Sequence, residues 1–317
     1  MKNLKVVFMG TPEYCLPVLN ALIENTNVIG VVTQPDKLVG RKKILTYSPA
    51  KELAIKHNIP VLQPVRLRKE FNEIIDLKPD IIITCAYGQI IPEEVIYAPK
   101  YNTINVHGSI LPKYRGGAPI EHAIKNGDLK TGITLMYTDK GMDSGDIIKI
   151  AEIDILLSDN LDTVKEKMSK LGAKFLMENL PEIISGSAPR IKQKEEDITF
   201  SPIIKRKDEF ISFNKTSLEI YNHIRSLAMN PGAFAILDNE EIKIFDSRIG
   251  TGKGELGKII NIYKDGLGVG TKDGEIIITK MQLAGKKIML ARDYLNGIDK
   301  QKLIGKEFTN EGEEKND

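Results

Sequence analysis

Cysteine is scarce in this chain. Two residues, Cys15 and Cys85, in a total of 317 exclude a disulfide framework and any zinc site built on several thiolates. Both lie in apolar stretches and read as small buried hydrophobes. Long apolar runs are missing as well: nothing reaches the ~18 continuous residues that a membrane-spanning helix needs. The opening MKNLKVVFMG has an apolar run too short for a cleavable signal and reads as a strand, so a cytoplasmic, membrane-free protein is expected. His57, His122 and His223 fall in separate helix-like segments without metal-ligand spacing, and no metal is expected. The first strand is followed by FMGTPEYC, with one glycine, rather than by G-x-G-x-x-G; G-x-x-x-x-G-K-[ST] is absent too. NAD binding and an NTP phosphate cradle are therefore poorly supported. With 45 basic and 43 acidic residues, the net charge of +2 is too mild to imply a polyanionic partner by itself.

What is present is a chain of ordinary soluble composition, 41% apolar and 28% charged, and longer than one core usually holds. The first half alternates strand-like and helix-like segments. Strands are expected at 4–9, 28–33, 80–86 and 102–107, with a later pair at 131–138 and 146–155. Helices are expected from Pro12, from Ser48 as N-cap with Pro49 just inside, over 118–127, and as a long amphipathic segment started by Asp159 or Asn160. This alternation predicts an α/β fold with a doubly wound, mostly parallel sheet, which binds ligands beyond the carboxyl ends of its strands. Near residue 190 the pattern changes. Residues 190–207 are polar, charged and aperiodic, the mark of a basic linker; one helix and five short strands separated by Gly and Asp turns then predict a small β-barrel. The expected division is 1–189, linker 190–207, barrel 208–310, and an acidic, disordered tail at 311–317.

Three segments carry chemistry. In INVHGSILPKYRGGAPI, Asn105 and His107 are two apart on a strand and project from one face, toward its carboxyl end. An amide donor beside an imidazole suits acyl transfer, with Asn105 stabilising an oxyanion and His107 moving a proton. Taken alone, N-x-H fits a hydrogen-bonded structural histidine better than an active site. In TDKGMDSGDII, glycines bracket Asp143, which could pair with His107 and favour the imidazolium; an Asp turn between strands is the alternative. Residues 33–49 separate a strand from the Ser48-capped helix by about fifteen residues, unusually long for a compact α/β unit. Lys37, Arg41, Lys42 and Lys43 charge this loop, which reads either as a flexible clamp on a phosphate backbone or as a solvated basic loop. Lys205, Arg206 and Lys207 in the linker, with Lys286 and Lys287 in the barrel, could extend a polyanion path, and Lys113 and Arg115 flank the N-x-H strand.

The segments NVHGSILPKYRGGAPIEHAI and GITLMYTDKGMDSGDII together resemble the folate-dependent formyltransferases. VFMGTPEY, VVTQPDKLVGRKK, CAYGQIIP, IRSLAMNPGAFA and QLAGKKIMLARDYLNG extend the resemblance over nearly the whole chain. It implies a Rossmann-like domain followed by an OB-like barrel. The implied activity is transfer of the formyl group of 10-formyltetrahydrofolate to the amino group of methionine on initiator methionyl-tRNA, for translation initiation. A folate-dependent formyltransferase acting on an amino sugar or other small amine is the alternative. The resemblance implies Asn105, His107 and Asp143 as the catalytic trio. It places folate contacts at Ser109, Ile110, Leu111 and Pro112, and pterin contacts at the backbone of Ala86, Tyr87, Gly88, Gln89 and Ile90. The usual S-L-L-P carries Ile110 here, a change of shape at equal volume. The basic loop with Arg41 matches the element such enzymes set against the tRNA acceptor end. No DNA partner is expected, and nothing demands more than a monomer.

Overall fold

A computed structural model describes residues 1–40 and 43–309, which form two compact units. The first comprises residues 1–119, 130–154 and 165–202; the second comprises 120–129, 155–164 and the chain from 203. The units thus divide the chain differently from the expected contiguous domains. Residues 120–129 and 155–164 cluster with the barrel unit; Tyr221 and Arg225 take carbonyls of 155–164, Tyr221 Oη donating to Leu157 O at 2.8 Å and Arg225 Nη1 to Leu156 O and Asp159 O, and Ile155 N donates to Leu129 O.

The first unit holds strands β1 (Lys5–Gly10), β2 (Asn27–Val32), β3 (Lys37–Val39), β4 (Ile44–Thr46), β5 (Val61–Leu62), β6 (Ile81–Cys85), β7 (Thr103–His107), β8 (Lys130–Tyr137) and β9 (Ile147–Asp154). Seven of them form one sheet in the order β5-β2-β1-β6-β7-β8-β9. The first five in that order run parallel, while β8 is antiparallel to β7 and β9 to β8. The chain winds outward from β1 through β2 to β5, then resumes on the other side of β1 with β6. That reversal puts the carboxyl ends of β1, β6 and β7 where a doubly wound sheet takes its ligand. Strand β6, IIITC, is buried throughout and β-branched, as a strand covered on both faces must be. β9 starts with buried Ile147 and Ile148 and then alternates half-buried and exposed residues, which suits an edge strand with one solvated face.

Helices α1 (Leu16–Asn25), α2 (Pro49–Lys56), α3 (Asn72–Asp76), α4 (Glu93–Ile96), α5 (Pro119–Lys125) and α6 (Leu161–Ser185) connect or follow these strands. Ser48 caps α2 as expected, its Oγ accepting from Lys51 N. Pro12 does not open α1: it precedes a short 3₁₀ turn at Glu13–Cys15, and Pro17 sits in the first turn of the helix instead. Asn160 rather than Asp159 caps α6, accepting from Thr163 N at 3.0 Å. The 33–49 segment is not an open loop. Lys37, Leu38 and Val39 pair with Thr46, Leu45 and Ile44 in a two-stranded hairpin whose Leu38, Ile44 and Leu45 are exposed.

The second unit carries α7 (Ser217–Ser226), β10 (Ala233–Leu237), β11 (Glu240–Gly250), β12 (Ile259–Ile262), β13 (Leu267–Gly270), β14 (Glu275–Leu283), β15 (Met289–Leu290) and α8 (Ala291–Asn296). A capping box between Thr216 and Glu219 starts α7. The strands are antiparallel in the order β10-β11-β14-β13-β12, with β15 on β14. Residues 305–309 join the two ends of that order: Gly305 N donates to Ile259 O, Phe308 N to Gly257 O and Thr309 N to Ile236 O. The sheet is thereby closed around a core containing Phe213, Ile224, Ile244, Val269, Ile276 and Phe308. The acidic tail expected at 311–317 lies outside the described residues. Among the described residues, no helix is long and apolar enough to cross a membrane.

Candidate active site

Asn105 and His107 lie on β7, between parallel β6 and antiparallel β8. Register sets Asn105 opposite Thr84 and His107 opposite Thr134. Thr84 Oγ1 donates to Asn105 Oδ1 at 3.0 Å, which fixes the amide so that its Nδ2 faces away from β6. That Nδ2 donates to Asp143 Oδ1 at 3.3 Å. His107 is 5% exposed, and its Nε2 lies 3.0 Å from Tyr114 O. A carbonyl only accepts, so Nε2 carries the hydrogen and Nδ1 is the nitrogen left to gain or lose a proton. Nδ1 lies 3.7 Å from the same Asp143 Oδ1. Two side chains from one strand face therefore converge on one carboxylate oxygen.

Asp143 reaches this position from the loop between β8 and β9 with a left-handed backbone, φ 46°. Its second oxygen accepts from Gly116 N at 2.8 Å. Gly116 has φ 120°, and a Cβ there would stand 2.7 Å from Ser201 O. A Cβ at Gly145 would stand 1.8 Å from Tyr137 O, so the loop closes only with glycine at its neck. The Asp143 carboxylate thus faces an amide donor, a backbone N–H and an imidazole nitrogen that would become an N–H on protonation.

The segment after β7 is divided. Ser109 is buried, its Oγ donating to Lys113 O at 2.6 Å, and Thr134 Oγ1 donates to Ser109 O at 2.6 Å. Leu111 packs with Met136 and Ile147 and precedes a cis Pro112. Ile110 and Pro112 keep exposed surface, so the position that departs from S-L-L-P is one whose side chain a ligand can reach. In the turn after β6, Tyr87 belongs to a core cluster with Met9, Val32 and Ile82, and its carbonyl accepts from Thr11 Oγ1 and Gln34 Nε2. Gln89 is held by Leu67 N and Pro64 O. Ala86 and Gly88 are exposed with left-handed backbones, and Ile90 is 60% exposed. No hydrogen bond among the described residues uses the N–H groups of 87–91. A row of unpaired amides at the switch point of the sheet suits the polar edge of a heterocycle.

The basic residues divide between the units. Lys37 and Lys43 are exposed in the first; Lys205, Lys207, Lys286 and Lys287 are exposed in the second; Arg41 and Lys42 lie outside the described residues. Arg206 is committed to Glu209 and Glu241, with its guanidinium 3.8 Å from the Phe234 ring centre, so its charge is balanced within the protein. Arg115 does not stand ready for an acceptor either: it is 9% exposed, and its guanidinium is hydrogen-bonded to Gln193. Sequence reasoning missed Thr84, Gly116 and Gln193. Only the parallel register of β6 and β7 could have brought Thr84 to notice. Among the described residues, no group of three or more His, Cys, Asp or Glu could hold a metal ion.

An amide and an imidazole on one carboxylate, at the carboxyl edge of a doubly wound sheet, is an acyl-transfer constellation on a nucleotide-type fold. Comparison with protein families makes this specific: a formyl transferase model matches residues 3–180, a formyl transferase C-terminal domain model matches 203–299, and the chain belongs to that family. It is 46% identical over 299 residues to the methionyl-tRNA formyltransferase of Bacillus subtilis (strain 168), covering 92% of this chain and 94% of that one. It is 43% identical over 306 residues to the methionyl-tRNA formyltransferase of Macrococcus caseolyticus (strain JCSC5402), covering 96% and 98%. Among solved structures, an N-formyltransferase from Helicobacter canadensis, in complex with folinic acid and dTDP-3-aminofucose, superposes with a TM-score of 0.66 at 22% identity. That alignment covers 88% of this chain and 99% of the other, and shows a shared fold.

Proposed function

We propose that the protein transfers the formyl group of 10-formyltetrahydrofolate to the amino group of methionine on initiator methionyl-tRNA, in the cytoplasm, for translation initiation. The convergence of Asn105 Nδ2 and His107 Nδ1 on Asp143 Oδ1 carries the chemistry. Likeness at 43–46% identity over more than nine-tenths of the chain supports the acceptor. The unpaired amides of 87–91 and the accessible Ile110 and Pro112 suit the folate. When bound, 10-formyltetrahydrofolate supplies a formyl carbon whose oxygen takes up negative charge as the amine adds. Asn105 has a second Nδ2 hydrogen, not used by Asp143, to donate to that oxygen; such a donor is worth roughly 10²–10³ in rate. As the amine adds, its nitrogen gives up a proton that His107 takes at Nδ1, and Asp143 Oδ1 holds the imidazolium that results. Nε2–H on Tyr114 O keeps the ring from turning during the exchange. The proton on Nδ1 is then available to the departing nitrogen. Exposed Lys37, Lys43, Lys205, Lys207, Lys286 and Lys287, together with Arg41 and Lys42, are proposed to contact tRNA phosphates; Arg206 is structural.

The test is formyl transfer by the purified protein to initiator methionyl-tRNA, elongator methionyl-tRNA and a nucleotide-linked amino sugar. Initiator methionyl-tRNA is expected to be the preferred acceptor. His107→Ala is expected to lower turnover by about 10²–10⁴. Preference for the amino sugar would overturn the acceptor, and wild-type turnover in His107→Ala would overturn the mechanism.

A further inference from the structure

Residues 190–202 carry a single 3₁₀ turn at Glu195–Asp197 and no long strand, yet they are fastened to the first unit at both ends. Ile191 and Ile147 exchange backbone hydrogen bonds at 2.8 and 2.9 Å. Arg115 N donates to Thr199 O at 2.9 Å, and Ser201 N donates to Arg115 O at 2.7 Å. Between these two fastenings sits Gln193. Its Nε2 donates to two carbonyls of the catalytic loop, Asp143 O at 2.8 Å and Gly145 O at 2.9 Å. Its Oε1 accepts from Arg115 Nε at 3.0 Å and Nη2 at 2.8 Å. A guanidinium only donates and a carbonyl only accepts, so every hydrogen-bonding edge of this amide is assigned without ambiguity.

We propose that Gln193 is a positioning residue for Asp143: it clamps the neck of the β8–β9 loop and thereby sets the carboxylate against Asn105 and His107. This rests on the acyl-transfer reading of the trio. The loop needs such a clamp. Asp143 holds a left-handed backbone that few non-glycine residues adopt. Its contacts to Asn105 and His107, at 3.3 and 3.7 Å, are long enough that a small shift breaks them. A misplacement of about 1 Å at such a group costs ~10² in rate. Arg115 strengthens the clamp. A buried cation on Oε1 polarises the amide, so both Nε2–H groups become better donors to the loop carbonyls. The same segment also steadies the partner of His107, since Ser201 Oγ donates to Tyr114 O at 3.1 Å.

A structural role and a positioning role make different predictions for kinetics. Gln193→Ala removes both donors; Gln193→Glu keeps the length and the partner of Arg115 but turns oxygen toward the two carbonyls. Both are expected to lower kcat about 10–100-fold while KM for 10-formyltetrahydrofolate and for the acceptor stays within about threefold. The deciding measurement is the double variant. If Gln193 acts through Asp143, adding Gln193→Ala or Gln193→Glu to Asp143→Asn costs less than about twofold beyond Asp143→Asn alone. Losses that multiply in the double variants, as a general loss of folding would give, overturn the proposal. So does a kcat for Gln193→Ala and Gln193→Glu within twofold of wild type. The rates are ratios to wild type on whichever acceptor the wild type formylates. The choice of acceptor is thus judged by the wild-type control and the role of Gln193 by the ratios.

Discussion

His107 and His223 are both buried, and both give an Nε2 hydrogen to a backbone carbonyl, Tyr114 O in one case and Asp208 O in the other. They differ in what else surrounds the ring. His107 has a carboxylate oxygen beside Nδ1, whereas His223 is cut off from solvent with the ammonium of Lys125 nearby. Burial first, and Lys125 second, push the His223 ring down to about 4. In the unfolded chain the ring binds its proton near pH 6.5, so below that value the unfolded state holds a proton the folded state refuses. Stability therefore falls as pH drops from about 6.5 to about 4. The loss over that window is at most about 3 kcal/mol. Thermal unfolding of His223→Asn across the same pH range should show a shallower slope than wild type; an unchanged slope would place the pH dependence elsewhere. At this scale the sequence was partly legible. The two-residue spacing disclosed that Asn105 and His107 share a face. It could not disclose that Asp143, 38 residues past Asn105, meets them, or that Gln193 lies 50 residues past Asp143. Those meetings are made by the sheet order, and spacing holds no record of it.

Strands and helices were read with most success where burial imposes a period. β1, β2 and β6 are near-continuous apolar runs, β7 alternates Ile104 and Val106 with polar residues, and α6 and α7 are capped amphipathic segments. Two elements escaped. The hairpin of β3 and β4 has exposed apolar residues on short strands, so no alternation marks it. The 190–202 segment fastens by backbone exchange and by single polar side chains, neither of which leaves a periodic trace. The segment that closes the barrel was equally hard to see, because it contributes only a few pairings and one large core residue. That residue, Phe308, is 1% exposed and lies 5.2 Å from the Phe213 ring. Phe308→Ala is expected to cost about 3–5 kcal/mol in unfolding free energy. Urea unfolding followed by circular dichroism would check this, and a loss under 1 kcal/mol would show that the seam closes without the ring.

For the whole molecule, near-neutral charge disguises a local one. Lys37 and Lys43 in one unit, and Lys205, Lys207, Lys286 and Lys287 in the other, are exposed, while Arg206 is neutralised. If the exposed lysines meet phosphate, the affinity for methionyl-tRNA falls linearly on a log–log plot against salt. Replacing Lys286 and Lys287 together by alanine should reduce the slope by about 1.4–1.8, from ~0.7–0.9 per phosphate contact. Replacing Arg206 should leave the slope alone. Filter binding across a potassium chloride series measures both, and a slope unchanged by the lysine pair would remove them from the interface. The general architecture, an α/β sheet and then a barrel, was legible because period and turn chemistry are local. The clustering of residues 155–164 with the barrel unit was not, because it depends on which carbonyls Tyr221 and Arg225 find.

The seam of the barrel bears on how the protein is made. Residues 305–309 come after every strand they join, so a nascent chain has all of β10 to β14 in hand before anything covers the outer edge of β12 or the far end of β10, whose near end pairs with Phe210 and Ile211. Until the seam segment leaves the ribosome, two strands carry unpaired backbone groups that another chain could pair with. Premature termination or proteolytic trimming just before residue 305 would leave Asn105, His107 and Asp143 in place but β12 and the far end of β10 uncovered, and insolubility rather than inactivity would be the first symptom.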